Sequence, residues 1–233
     1  KERNMEHQPL RSADVRDRNQ KLILRLLFQE GAMSQSQLVQ RTGLKAPTVF
    51  RIFAKLEEEH YIQPCGEPEA TAATGERKGR RPVYYCVVPS AAFAVGVDFS
   101  TAGVSVIVVN FVNEVIHHQS QEFTEGIHRD EVLSRIGALI GSALDACAIK
   151  PQQLIGIGIG APGIVNTDTG VVVEYSRIEG LTDYSLKDHF QSVFHVPVFV
   201  HNNASVIAAS EYHYDAARAY SSVLAVLVRG GVG

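Results

Sequence analysis

The sequence predicts an α/β protein in two parts, a small and mainly helical segment over residues 1–88 and a body of alternating strands and helices over 89–233. Three observations carry this division. Charge is split: residues 1–88 hold 15 Lys+Arg against 11 Asp+Glu, a net of +4, while 89–233 hold 7 against 14, a net of −7. Hydrophobic periodicity is split as well, with helical spacing before residue 63 and short β-rich runs after 92. Between them lies a stretch rich in Pro, Gly, Ala and Thr that runs into Arg77, Lys78, Gly79, Arg80, Arg81 and Pro82.

The first segment reads as closely spaced helices. Leu22, Ile23, Leu26 and Leu27 place a helix over 17–30, stopped by Gly31. Ser34 precedes Gln37 by three residues, the spacing of a capping box, and opens a short helix through Leu38 and Val39 that ends near Gly43. After the Thr42-Gly43-Leu44 turn, Val49, Ile52, Phe53 and Leu56 recur at i, i+3, i+4 and i+7, with Pro47 in the first turn, where its missing N–H costs nothing. Two helices joined by a glycine-containing turn have the layout of a helix-turn-helix. Subtracting the apolar stripe leaves Lys45, Ala46, Thr48, Arg51 and Lys55 to enter a major groove. Phe50 is expected either to contact a thymine methyl in the groove or to pack beneath the following hairpin, with packing the favoured reading. That hairpin would join a short strand near Ile62 to another over 83–88, with Arg80 and Arg81 at a narrow cationic tip suited to the negative potential of an A·T-rich minor groove.

The body begins with β-rich runs at 93–98 and 104–111, separated by Ser100, Thr101, Ala102 and Gly103, which predicts a hairpin with Asp98 at its mouth. A helix over 130–147 leads into 154–160, where alternating Ile and Gly predict a strand closely approached by neighbouring backbone. The Ala161-Pro162-Gly163-Ile164 loop after it is accessible to a ligand. Further strands are expected at 171–173, 196–200 and 223–228, and helices at 185–194 and 204–214.

Composition narrows the function classes. At 233 residues and 45% hydrophobic content the chain can bury a substantial core. No apolar run approaches the roughly 20 residues of a membrane-spanning helix, and Lys1, Glu2, Arg3 and Glu6 leave no apolar secretory core at the start, so a cytoplasmic location is expected. Cys65, Cys86 and Cys147 are odd in number and widely spaced; ordinary half-buried thiols are expected, without a disulfide framework or zinc site.

Taken in order, the leader 14–19, the Thr42-Gly43-Leu44 turn, Gly79-Arg80-Arg81-Pro82, the segment 158–165 and the segment 201–211 resemble landmarks of the ROK family (repressors, open reading frames and sugar kinases), and of its repressor branch. The resemblance implies a winged helix-turn-helix over 1–88 and, over 89–233, the N-terminal part of a sugar-kinase-like effector domain of the actin-like ATPase (ribonuclease-H-like) fold. It places the rest of that domain past Gly233, with the family's zinc motif, so no cofactor is expected in this chain. In the DNA-binding helix the family often has Ser where this chain has Lys45 and Phe50, which leaves the helix without a good N-cap.

Family kinases open the body with an Asp-x-Gly-Gly-Thr loop whose backbone N–H groups approach ATP phosphates; here the matching residues are Asp98-Phe99-Ser100-Thr101-Ala102. They also use an Asn-Asp pair whose Asp removes a sugar hydroxyl proton, and here the pair is Asn202-Asn203, which supplies no such base. The resemblance therefore implies a regulator rather than an enzyme. Gly163, Asn202 and Asn203 would bind a sugar. The expected partners are a roughly palindromic, A·T-rich DNA operator and a small-molecule sugar, with a homodimer or homotetramer as the assembly. Control by a protein partner such as a transporter component, or an ATP-dependent sugar kinase, stand as the alternatives.

Overall fold

The computed structural model describes residues 12–66, 82–214, 224–229 and 231–232. Its contacts separate two units, divided between Ala91 and Ala92.

The first unit contains α1 (Ser12–Glu30), β1 (Met33–Ser34), α2 (Gln35–Thr42), α3 (Ala46–Glu58), β2 (Ile62–Cys65) and β3 (Tyr84–Val87). Of the apolar stripe expected on α1, Ile23 and Leu27 are fully buried, whereas Leu22 remains on the surface. The Ser34 hydroxyl accepts from Gln37 N at 3.3 Å while the Gln37 side chain accepts from Ser34 N at 2.8 Å, so two backbone donors at the start of α2 are satisfied reciprocally. Gly43 closes α2 at φ 68°, its N–H bonded to the Val39 carbonyl at 3.0 Å, a left-handed conformation that a Cβ would oppose. The tight turn lets α3 begin at Ala46 and bury Val49, Ile52, Phe53 and Leu56. Each such side chain contributes roughly 1.5–3 kcal/mol on burial. The strands form a three-stranded antiparallel sheet ordered β1-β3-β2, and Tyr85 stands edge-on to Phe53 with ring centroids 5.0 Å apart.

The second unit is built on a five-stranded sheet ordered β11-β7-β4-β5-β6. β4 (Phe93–Phe99), β5 (Gly103–Asn110) and β6 (Val115–Glu122) form an antiparallel meander; β7 (Leu154–Ala161) adds to β4 in parallel and β11 (Val198–Asn202) adds to β7 in parallel. Burial alternates strictly along β4 and β5, because one sheet face packs under α4 (Arg129–Ala146) and the other does not. Val95, Val97, Val106 and Val108 meet Val132, Ile136 and Ile140 of α4 in one core. The 100–103 turn closes as expected, with Ser100 N bonded to Gly103 O at 2.9 Å. A Cβ on Gly103 would stand 2.5 Å from the Gln121 carbonyl oxygen, so β5 and β6 approach there only with glycine.

A small antiparallel sheet, β10-β9-β8, is formed by β8 (Ile164–Asn166), β9 (Val171–Glu174) and β10 (Tyr184–Ser185). It leads into α5 (Leu186–Phe194), which buries Leu186 and Phe190. After β11 comes α6 (Asn203–Tyr214).

Two expectations change. The strand expected over 223–228 is not formed by 224–227; Val228 and Arg229 (β12) instead pair with Val232 and Gly231 (β13) in a minimal hairpin. The glycines of β7 are not uniformly crowded: a Cβ at Gly156 would lie 3.1 Å from the Pro197 carbonyl, whereas at Gly158 it would meet open space. Among the described residues, no helix is long and apolar enough to cross a membrane, and no cluster of three or more His, Cys, Asp or Glu is placed to hold a metal ion.

Candidate nucleic-acid interface and effector site

α3 presents its polar face without a side-chain cap. Lys45 occupies the N-cap position with extended backbone, and only its carbonyl serves the helix, accepting from Thr48 N at 2.9 Å and Val49 N at 3.2 Å. Lys45, Arg51 and Lys55 are exposed; Ala46 and Thr48 are half-buried. At about 100° per residue, Thr48, Arg51 and Lys55 fall within a stripe roughly 60° wide beside the buried face. Lys55 is engaged locally: its ammonium donates to Gln20 Oε1 at 3.2 Å and pairs with Glu59 at 3.6 Å. The packing expected for Phe50 is not found. Its ring is 49% exposed on the flank of α3, because its position falls outside the i, i+3, i+4, i+7 set that reaches the core. Arg80 and Arg81 lie outside the described residues.

In the second unit, Gly163, Asn202 and Asn203 are drawn together at the C-terminal ends of the parallel strands. Asn202 Nδ2 donates to the Gly163 carbonyl at 2.7 Å, while its Oδ1 accepts from Ala204 N at 2.9 Å and Ser205 N at 3.4 Å. Asn202 thus caps the first turn of α6 and pins the Pro-Gly loop with one amide. Gly163 has φ 83°, and a Cβ there would sit 2.3 Å from the Glu174 carbonyl oxygen, so no other residue fits without movement of the loop. Asn203 is only 5% exposed. Its Nδ2 donates to the Phe99 carbonyl at 3.0 Å, and its Oδ1 is buried without a hydrogen-bond partner among the described residues. A Cβ on Gly160 would lie 3.3 Å from Asp98 Oδ1 and 3.6 Å from Asn203 Oδ1, so both side chains bracket the end of β7.

A separate opening of about 530 Å³ lies on the sheet face away from α4. Gly96, Gly158, Phe199 and His201 floor it, and Val206 and Ala209 of α6 wall it. None of Gly163, Asn202 or Asn203 lines this opening. Its walls are largely apolar, with Phe199 62% exposed, which does not suit a polyhydroxylated ligand. Sequence reasoning missed it because its floor depends on glycines of β4 and β7 becoming neighbours, Gly96 opposite Gly158, through a non-local parallel pairing.

Elsewhere in this unit, Arg129 stacks 4.5 Å over the Tyr184 ring and donates to Asp130. The Arg129 hydrogen bond holds the Asp130 carboxyl below its ordinary range. Tyr184 Oη lies 3.1 Å from His189 Nδ1, and burial, with the Arg129 charge beside it, lowers the His189 pKa from its ordinary value.

Comparison with known proteins agrees with both halves of this description. Residues 16–63 match a family described as winged helix-turn-helix DNA-binding, and residues 94–233 match the ROK family. The chain is 27% identical over 222 residues to the xylose repressor of Bacillus spizizenii, covering 94% of this chain and 55% of that protein. It is 24% identical over 222 residues to the DNA-binding transcriptional dual regulator NagC of Escherichia coli strain K12, covering 94% and 52%. The chain thus spans about half the length of the curated relatives it matches. A solved ROK family transcriptional regulator, a homologue of the E. coli MLC protein, superposes with a TM-score of 0.66 at 21% identity, covering 86% of this chain and 49% of that one.

Proposed function

Because the chain belongs to the ROK family, with a winged helix-turn-helix ahead of its ROK domain, we propose that it is a cytoplasmic transcription repressor of carbohydrate-utilisation genes whose hold on DNA is set by a bound sugar. Residues 1–88 bind the operator and residues 89–233 form part of the effector domain. The observation that carries this is the α2–turn–α3 unit, with α2 capped by Ser34, which exposes Lys45 at the start of α3 and Arg51 on it, with Thr48 half-buried between them. Those residues, with Ala46 and Lys55, meet the major groove, and Arg80 and Arg81 reach the adjoining A·T-rich minor groove.

In the effector domain the sugar hydroxyls hydrogen-bond beside Gly163, Asn202 and Asn203. The orphaned Asn203 Oδ1 supports this, since a buried acceptor without a donor costs about 1–3 kcal/mol that a ligand hydroxyl would recover. Phosphoryl transfer is not its role. An amide at 203 takes up no proton, and its Nδ2 is already committed to Phe99. The protein acts as a homodimer or homotetramer on a roughly palindromic site. The sugar favours the conformation whose two DNA-binding heads fit that site less well, since a ligand indifferent to both states would shift nothing.

The test is an electrophoretic mobility shift at moderate salt, with and without xylose, glucose, N-acetylglucosamine or fructose. One sugar should release the DNA. Absence of sequence-preferring DNA binding would sink the proposal, whereas DNA binding indifferent to every sugar would favour control by a protein partner.

A further inference from the structure

We propose that Cys65 and Cys86, facing one another across the β2–β3 hairpin, form a reversible dithiol–disulfide couple that reshapes this hairpin when oxidised by a low-molecular-weight disulfide such as oxidised glutathione. The register places them together. Cys86 stands opposite Gln63, and Cys65 opposite Tyr84. Directly opposed residues share a sheet face, as do residues two apart on one strand, so both thiols project from the same face as diagonal neighbours. Both are free and half-buried, within reach of a small oxidant.

Diagonal positions are ordinarily about 7–8 Å apart between Cα atoms, just beyond the roughly 4.4–6.8 Å that a disulfide spans. Closing the bond must therefore draw β2 and β3 together. A crosslink held under such tension is easily reduced again, the property of regulatory rather than structural disulfides. The Cys65 thiol is pushed up to about 11, first by burial and then by its contact with Cys86, so Cys65 holds its proton at neutral pH.

The Cys86 thiolate attacks one sulfur of oxidised glutathione, forming a mixed disulfide and expelling a glutathione thiolate. Cys65, on losing its proton, attacks the Cys86 sulfur and expels the second glutathione thiolate. Two protein thiols are oxidised, one glutathione disulfide is reduced, and the two protons pass to the two glutathione thiolates. The couple stands whether or not the protein binds DNA.

The experiment uses the full chain with Cys147→Ser, equilibrated in glutathione buffers from fully reduced to fully oxidised, trapped with N-ethylmaleimide and peptide-mapped. A Cys65–Cys86 crosslink should become the major species under excess oxidised glutathione and disappear under excess reduced glutathione. Amide hydrogen exchange in β2 and β3 should slow severalfold on oxidation, and C86S should abolish both effects. Glutathione adducts or intermolecular dimers without the crosslink would overturn the proposal, as would a crosslink that leaves hairpin exchange unchanged.

Discussion

Asn203 donates its side-chain N–H to the Phe99 carbonyl at 3.0 Å and so fastens the first residue of α6 to the last residue of β4. The bond requires a donor at position 203. A carboxylate there would turn an oxygen toward an oxygen inside a buried site. Asn203→Asp should therefore destabilise the second unit at neutral pH by about 1–3 kcal/mol without creating sugar phosphorylation. The sign follows from linkage: repulsion and burial raise the new carboxyl's pKa in the folded state, so the defect is largest at high pH and shrinks once it protonates. Denaturant melts at several pH values, with an ATP-consumption assay, would show this. Undiminished stability at neutral pH would refute it.

Arg51 is exposed on α3 and makes none of the core contacts. Arg51→Ala should leave the melting temperature unchanged while weakening operator binding by about 1–3 kcal/mol and relaxing sequence preference. Arg80→Ala and Arg81→Ala should act more on A·T-rich flanks than on the central site. Anisotropy titrations against matched duplexes separate these effects.

The reciprocal Ser34–Gln37 bonds predict that Ser34→Ala costs about 1 kcal/mol through loss of the cap. Because α2 supports the turn into α3, DNA affinity should fall by no more than the lost stability accounts for. A thermal melt with no shift would show that the cap contributes nothing.

His189 gives the second unit a pH dependence. Its pKa is lowered in the folded state, so its contribution to stability is complete above the ordinary histidine value of 6.5 and is lost as pH falls through the lower folded value. The carboxyl of Asp130 is lowered too, but it acts only in the more acidic carboxylate range. Acidification from neutral pH toward about 5 should lower the midpoint of chemical denaturation, and His189→Gln should flatten that limb. An unchanged slope in the variant would remove His189 as its source.

Local signals in the sequence proved sufficient where the chain's own neighbours decide the structure. Ser34, Gln37 and Gly43 carry the chemistry of α2 within ten residues, and the valines of β4 and β5 alternate visibly. β6 was not legible: Val115–Glu122 is an edge strand with most side chains facing solvent, so its polar sequence shows no alternation and only pairing with β5 fixes it. Asn202 and Gly163 could each be singled out, but the hydrogen bond joining them across 39 positions depends on β11 settling beside β7. Phe50 was open between groove contact and packing, and its angular position on α3 places it outside the core.

The strand order β11-β7-β4-β5-β6 also dictates a sequence of events in time. β4, β5 and β6 are joined by short turns and can zip up quickly, whereas β7 and β11 must each return to the sheet across a helix-bearing connection before any pairing rewards the closure. Refolding should thus be limited by arrival of the parallel strands. Conservative substitutions at Val106 would then slow folding, with φ-values of about 0.5 or more, while those at Val200 would mainly speed unfolding. The reverse pattern would place the nucleus at β11.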